Sequence, residues 1–278
     1  MKLRVLALHA VVTLLCIITL YPVLWVFKMA FSSDAGLTPS LSPIPDDFTL
    51  QQFSDVLGNT DLQGRWLFGR QLFASLWVSS ISTVIGLSLA VTAAYAISRF
   101  KFPGKDVGLQ GLLVTQMFPA TLMLVAIYEL LQKLGLLDTW TGLVLVYSTS
   151  SLPFCIWMLK GYFDSLPREL EEAALMDGAS QTQVFLKVVL PLSRPALAVT
   201  ALFSFMSAWN EYILAATLLN DEARFTLPVA LQRYVGEYKT EYGHYAAGAI
   251  VISVPVMALF FALQKNLVGG LTAGGVKG

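Results

Sequence analysis

The chain is 278 residues long, 56% apolar and 13% charged, with a formal net charge of zero. No basic excess points to a nucleic-acid partner, and a mean hydropathy of +0.66 points to lipid instead. A closed β-barrel would show short alternating apolar segments, and none appear, so the expected class is all-α.

A bilayer core of about 30 Å needs about 20 apolar residues in helical form. Six such runs occur, at about 6–31, 72–97, 107–131, 140–161, 195–219 and 244–268. The expectation is a polytopic membrane protein of six transmembrane helices, a single domain over 1–278 with a core at about 72–268. The first run follows Lys2 and Arg4. It is too long for a secretory h-region and lacks a small-residue cleavage site near Pro22, so it reads as a retained span. Cys16 and Cys155 lie in apolar runs and read as small buried hydrophobes.

Between the first two runs, Pro39, Pro43 and Pro45 keep the chain extended. Phe53, Val56 and Leu57 then fall at helical spacing in a short amphipathic turn. On the second run Ser82, Gly86, Ala90 and Ala94 recur every four residues, a face for close helix packing. Pro119 interrupts the third run and predicts a kink or hinge. Gln116 beside it either lines a pathway or only accompanies the kink.

The segment 164–191 is short, polar and charged. Pro167 suits a first helical turn, and Glu169, Glu171 and Glu172 suit the positive end of a helix dipole. Gly178 should stop that helix in a left-handed conformation. Ser180 with Gln183 forms a capping box for a second helix that presents Val184, Phe185, Val188 and Val189, and Pro191 should end it. The expected product is an elbow, apolar on one side and acidic at one end.

Further on, Trp209-Asn210-Glu211-Tyr212 sets a carboxylate and an amide between two aromatics within the fifth run. Those residue types suit a sugar, and equally suit packing between helices. The stretch 220–243 mixes charge with Tyr234, Tyr238 and Tyr242, which fits either a solvated loop or a docking surface. His9 and His244 are the only histidines, so no metal site is expected. Eleven basic residues fall on the hairpin's side of the spans and seven on the other, which places both termini and the hairpin in the cytoplasm.

Residues 172–191 carry Glu172-Ala173-Ala174, then Gly178 after three residues, then Val188, Leu190 and Pro191. This pattern resembles the EAA signature of ABC-importer permeases, with Val188 where isoleucine is usual. The Arg99–Lys105 loop, Gln116–Pro119, Lys160–Phe163 and the glycine-rich end extend the resemblance along the chain. They match most closely the smaller, MalG-type permeases of maltose/maltodextrin importers, a family of binding-protein-dependent transport permeases.

The resemblance implies a type I ABC importer permease in a bacterial inner membrane. Its partners would be a second, larger permease, a cytoplasmic ATPase homodimer and an extracytoplasmic sugar-binding protein. It implies that Glu172, Ala173, Ala174, Gly178, Val188, Leu190 and Pro191 form the ATPase-coupling element. Gln116, Trp209, Asn210 and Glu211 would belong to the substrate pathway. The tail, with Gly274, Gly275 and Lys277, would run extended between the ATPase subunits.

The chain itself is not expected to be an enzyme or to hold a cofactor. Its only Gly-Lys pair, Gly104-Lys105, has Arg99 where a phosphate-cradling loop needs its first glycine, and Asp106 follows the lysine. ATP and Mg would bind the partner ATPase. An importer of another sugar or a polyol is the alternative. An ion-driven carrier fits less well, because Glu211 is nearly alone among ionisable groups deep in the spans.

Overall fold

The computed structural model describes residues 2–33, 42–45, 47–236 and 240–275, with side chains for all of these except 2, 3, 120 and 266–275. Among them every regular element is helical, apart from three isolated β-bridges. Four helices are long and apolar enough to cross a membrane, or up to six if each of two bent pairs is one span. The chain divides into two compact units, Met1–Leu72 with Leu227–Pro255, and Phe73–Thr226 with Val256–Gly278.

In the first unit, α1 (Lys2–Phe31) is apolar all round, as a lipid-facing helix must be. Its side chains are exposed from Arg4 to Leu24, so Cys16 is exposed rather than buried. Packing begins at its far end, where Phe31 meets Phe48 and Phe53 at ring separations of 5.2 and 4.9 Å. Phe53 belongs to α2 (Gln51–Leu57), the short amphipathic turn expected there, which buries Gln52 and Val56.

The stretch 220–243 is more ordered than a plain loop. It contains a 3₁₀ turn (Glu222–Arg224) and α12 (Leu227–Gln232), and its Glu237, Tyr238 and Lys239 lie outside the described residues. The last helix begins against α2. A Cβ at Gly243 would lie 2.6 Å from the Gln52 amide carbon, so only glycine fits there without a shift.

The second unit is built on α3 (Leu67–Arg99) and α6 (Trp140–Ser165). The small-residue face of α3 makes their contact: Ser82, Ala90 and Ala94 are buried, and a Cβ at Gly86 would meet Ser151 Oγ at 2.8 Å. Two hydroxyl bonds cross the seam, Ser82 Oγ to Val144 O at 3.4 Å and Ser148 Oγ to Ser82 O at 3.3 Å.

Two apolar runs are broken more sharply than the sequence predicts. The third becomes α4 (Lys105–Met117) and α5 (Ala120–Lys133), bent by 102°, with Phe118 and Pro119 extended between them. A proline kink keeps most of its helix; here the residue before proline also avoids the helical region, and the helix stops. The fifth run is not continuous over 195–219. It divides into α10 (Arg194–Trp209) and α11 (Ile213–Leu218), because Glu211 caps the second piece with its own side chain.

The last helix, α13 (Tyr242–Gly275), also departs from expectation. Its backbone stays helical through Gly274 and Gly275 rather than becoming extended, since adding residues to an existing helix needs no new nucleus. Lys277 lies outside the described residues.

Candidate functional site

The polar hairpin follows α6 directly. Its first limb, α7 (Glu169–Met176), has three glutamates in its first turn, as expected for the positive end of the dipole. Its end is a Schellman turn. Gly178 N–H donates to Leu175 O and Ala179 N–H to Ala174 O, both at 3.0 Å. Gly178 sits at φ +86°, the left-handed region that favours glycine.

The second limb starts with the expected capping box: Ser180 N–H to Gln183 Oε1 at 2.8 Å and Gln183 N–H to Ser180 Oγ at 3.3 Å. After α8 (Gln181–Val184) comes one π-helical stretch, Phe185–Val189, in which Leu190 N–H reaches back five residues to Phe185 O. Pro191 does not end the helix. It lies in the first turn of α9 (Leu190–Leu192), where its missing N–H costs little. The chain then turns by 75° at Ser193 into α10.

The elbow's apolar side packs on its own chain. Val184 and Val189 are buried in a core with Ala90, Val91, Ala94, Tyr95, Ile156 and Phe163; Val188, Leu190, Ala174 and Ala179 pack against it. Neighbouring carboxylates then part company. Successive residues on a helix point about 100° apart. Glu171 turns inward and Glu172 outward, beside exposed Ala173, Met176 and Gly178.

Glu171 is the residue that sequence reasoning missed. Arg99 Nε donates to its Oε1 at 2.5 Å, and Tyr95 OH donates to its Oε2 at 3.1 Å. The same guanidinium donates to Leu166 O at 3.3 Å, just past the end of α6, and to Ser98 Oγ at 3.1 Å. Ser98 Oγ in turn donates to Asp164 at 2.5 Å, and Asp164 pairs with Lys160 at 2.5 Å. The only hint in the sequence is Arg99, a cation placed at the very end of an apolar run.

The opposite end of α6 holds the second polar cluster. Glu211 accepts from Tyr147 OH at 2.6 Å and from the N–H groups of Leu214 and Ala215 at 2.9 and 3.0 Å. Trp209 is buried and stacks on Phe205 at 5.4 Å, and its indole N–H meets no acceptor among the described residues. Asn210 is exposed. Gln116 is also exposed and donates to Ser150 O on α6 at 3.2 Å. The structure thus gathers Trp209, Asn210 and Glu211 at one helix break and places Gln116 at another.

Nearby, Asp138 stands at φ +55°, unusual for a residue with a side chain. Its carboxylate accepts from the N–H groups of Asn220 and Asp221 at 2.9 and 3.1 Å and from Arg224 at 3.1 Å. Arg224 also donates to the Asp138 carbonyl, and Arg224 O accepts from Trp140 Nε1 at 2.9 Å. Among the described residues no group of three histidine, cysteine, aspartate or glutamate side chains is placed to hold a metal ion.

Residues 82–272, which include both polar clusters, match the family described as binding-protein-dependent transport system inner membrane component. The chain belongs to that family.

The permease is 38% identical to a maltose/maltodextrin transport system permease protein, MalG, of Vibrio parahaemolyticus, over 100% of this chain and 97% of that protein. It is 36% identical to the trehalose transport system permease protein SugB of Mycobacterium tuberculosis, over 93% of each. Among solved structures it resembles a bacterial ABC transporter involved in import of the acidic polysaccharide alginate, at 26% identity and a TM-score of 0.79. That match covers 95% of this chain and 96% of the other. The fold is that of the type I importer permeases. The permease is a transport subunit rather than an enzyme, since the proteins it resembles are permease subunits and ATP hydrolysis belongs to a separate subunit.

Proposed function

We propose that this permease is the smaller of two permease subunits in an ATP-driven importer for maltose and maltodextrins. It works with a larger permease, a cytoplasmic ATPase homodimer that binds ATP and Mg, and an extracytoplasmic sugar-binding protein. The chain forms a single functional membrane domain, with the hairpin and both termini on the cytoplasmic side.

One observation carries this reading. The hairpin seats its apolar side on α3 and α6 and holds an acidic, small-residue face outward. Glu172 offers a charge to a basic residue of the ATPase, while exposed Ala173 and Gly178 let the two backbones approach and Ala174, small and half-buried behind them, seats that face on the core. Val188, Leu190 and Pro191 fix the second limb and its turn into α10. Closure of the ATPase dimer on ATP then pushes both limbs and rocks the attached spans. The tail residues Gly274, Gly275 and Lys277 add a second contact with the ATPase.

The substrate path is assigned to the helix breaks. Asn210 and Gln116 are exposed there, with Glu211 partly so, while Trp209 backs the wall. Trehalose is the second reading, favoured by the similarity to SugB at nearly the same identity.

The test is ATP hydrolysis by the reconstituted complex with its binding protein and a panel of sugars, for wild type and Gly178→Asp. Stimulation by maltose, lost in the variant, is the expected result. Stimulation by trehalose alone would replace the sugar and keep the mechanism. Full stimulation of Gly178→Asp would refute the coupling assignment.

A further inference from the structure

We infer that Arg99 and Glu171 are positioning residues: a clasp that makes α7 move as one body with α3 and α6, so that force on the hairpin becomes motion of the spans. The inference rests on the reading of the hairpin as the ATPase contact.

The geometry argues for a clasp more than for ordinary packing. Arg99 and Glu171 side chains are only 8% and 11% exposed, although both lie at the ends of helices where water is close. Three elements converge on the guanidinium. It stands at the C-terminus of α3, bonds the carbonyl of Leu166 just beyond α6, and grips the first turn of α7. The second carboxylate oxygen of Glu171 is held by Tyr95, one turn back along α3. Two oxygens held by two separate donors fix both the distance and the rotation of α7.

Apolar contacts alone, such as Ala174 and Ala179 against the core, resist separation but allow sliding. Charge-assisted bonds of defined direction resist sliding too. Burying an ion pair seldom adds stability over an apolar equivalent of similar shape, so what this pair contributes is the geometry it imposes. The division between neighbours follows. Glu172 faces the partner and Glu171 faces the spans, so one helical turn is gripped from both sides.

The experiment uses the permease pair in nanodiscs, with Cys16→Ser and Cys155→Ala and spin labels at Met176→Cys and Thr149→Cys. The distribution of distances between hairpin and α6 is measured by pulsed electron resonance. Glu171→Gln should broaden it, and Glu172→Gln should leave it as narrow as wild type. An unchanged distribution in Glu171→Gln overturns the clasp. If Glu171→Gln does not accumulate, Tyr95→Phe removes one of the two grips and should broaden the distribution in part; no broadening is again decisive against it.

In the reconstituted complex, Glu171→Gln should still co-purify with the ATPase but move roughly fivefold less sugar, or fewer still, per ATP hydrolysed. Wild-type stoichiometry would overturn the clasp while leaving the coupling role intact. Full stimulation of Gly178→Asp would remove the coupling role and leave the distance result standing, so the two failures are distinguishable.

Discussion

The two ends of α6 are each held by one arginine and one carboxylate, and the two pairs are built differently. At the hairpin end Arg99 and Glu171 are 8% and 11% exposed. At the other end Arg224 and Asp138 are 45% and 27% exposed, and Asp138 spends much of its hydrogen-bonding capacity on backbone N–H groups. Burial decides what each pair can do. A buried pair is strongly destabilising to break, because the surviving charge is left without water or partner. An exposed pair is screened, and its loss is felt chiefly as local loosening. The hairpin end is therefore a rigid joint, and the other end is a set of backbone bonds trimmed with charge.

The largest effect expected from this contrast is at Arg99. Arg99→Met should lower the unfolding free energy of the purified permease by about 3–5 kcal/mol, since the Glu171 charge stays buried with no counter-ion and only the Tyr95 hydroxyl bonded to it. The double variant Arg99→Met/Glu171→Leu should regain most of that stability in thermal unfolding. It should still couple poorly, because the direction imposed by the ion pair is gone. A double variant that couples as well as wild type would reduce the joint to simple packing.

At the other end, Glu211 sharpens the comparison. Its carboxylate caps α11 and holds Tyr147, so Glu211→Ala should cost about 0.5–2 kcal/mol, the range for losing a helix N-cap. Glu211→Gln keeps one acceptor oxygen and should lose less. If transport falls in step with stability across the two variants, the residue acts through the helix break. Transport lost in Glu211→Gln at full stability would instead mark direct contact with the substrate.

Arg224→Ala should matter less. Discounted for solvent, the ion pair with Asp138 is worth about 0–1 kcal/mol, and the bonds from Asn220 and Asp221 to the same carboxylate remain. Unfolding temperature should barely move. A loss as large as that of Arg99→Met would erase the distinction between the two ends.

What could be read in the sequence was local. Gly178 as a left-handed stop and Ser180 with Gln183 as a capping box depend on bonds within a few residues, and the structure has both. The small-residue face from Ser82 to Ala94 follows from helical period alone. Partnerships across the chain were illegible. Three glutamates crowd the first turn of α7, and Arg99 and Tyr95, 72 and 76 residues earlier, select Glu171 as the inward one. The cap that splits the fifth run uses a side chain that reads equally well as a sugar ligand, and its partner Tyr147 is 64 residues away. In the sequence Pro191 reads as a stop, because its missing N–H breaks an α-helix. The wider π turn ahead of it lets the chain continue for one more residue.

A third arginine–carboxylate pair leaves its arginine, Arg65, 57% exposed and its carboxylate, Asp61, 12% exposed. In the first unit Asp61 accepts from Gln63 N–H and Arg65 N–H, both at 2.9 Å, and from Arg65 Nε at 2.6 Å. The Arg65 backbone N–H is the main reason its pKa lies below the ordinary 3.8, with the guanidinium and the Gln63 N–H adding to it. A carboxylate whose folded pKa is depressed contributes stability above the unfolded value and loses it as pH falls through the folded one. Amide protection at Gln63 and Arg65 should therefore hold steady at neutral pH, with its loss confined to pH below the ordinary aspartate range. Asp61→Asn should remove that dependence and leave hairpin coupling untouched. Loss of protection already near pH 6 would mean that another group, not the Asp61 carboxylate, controls this turn.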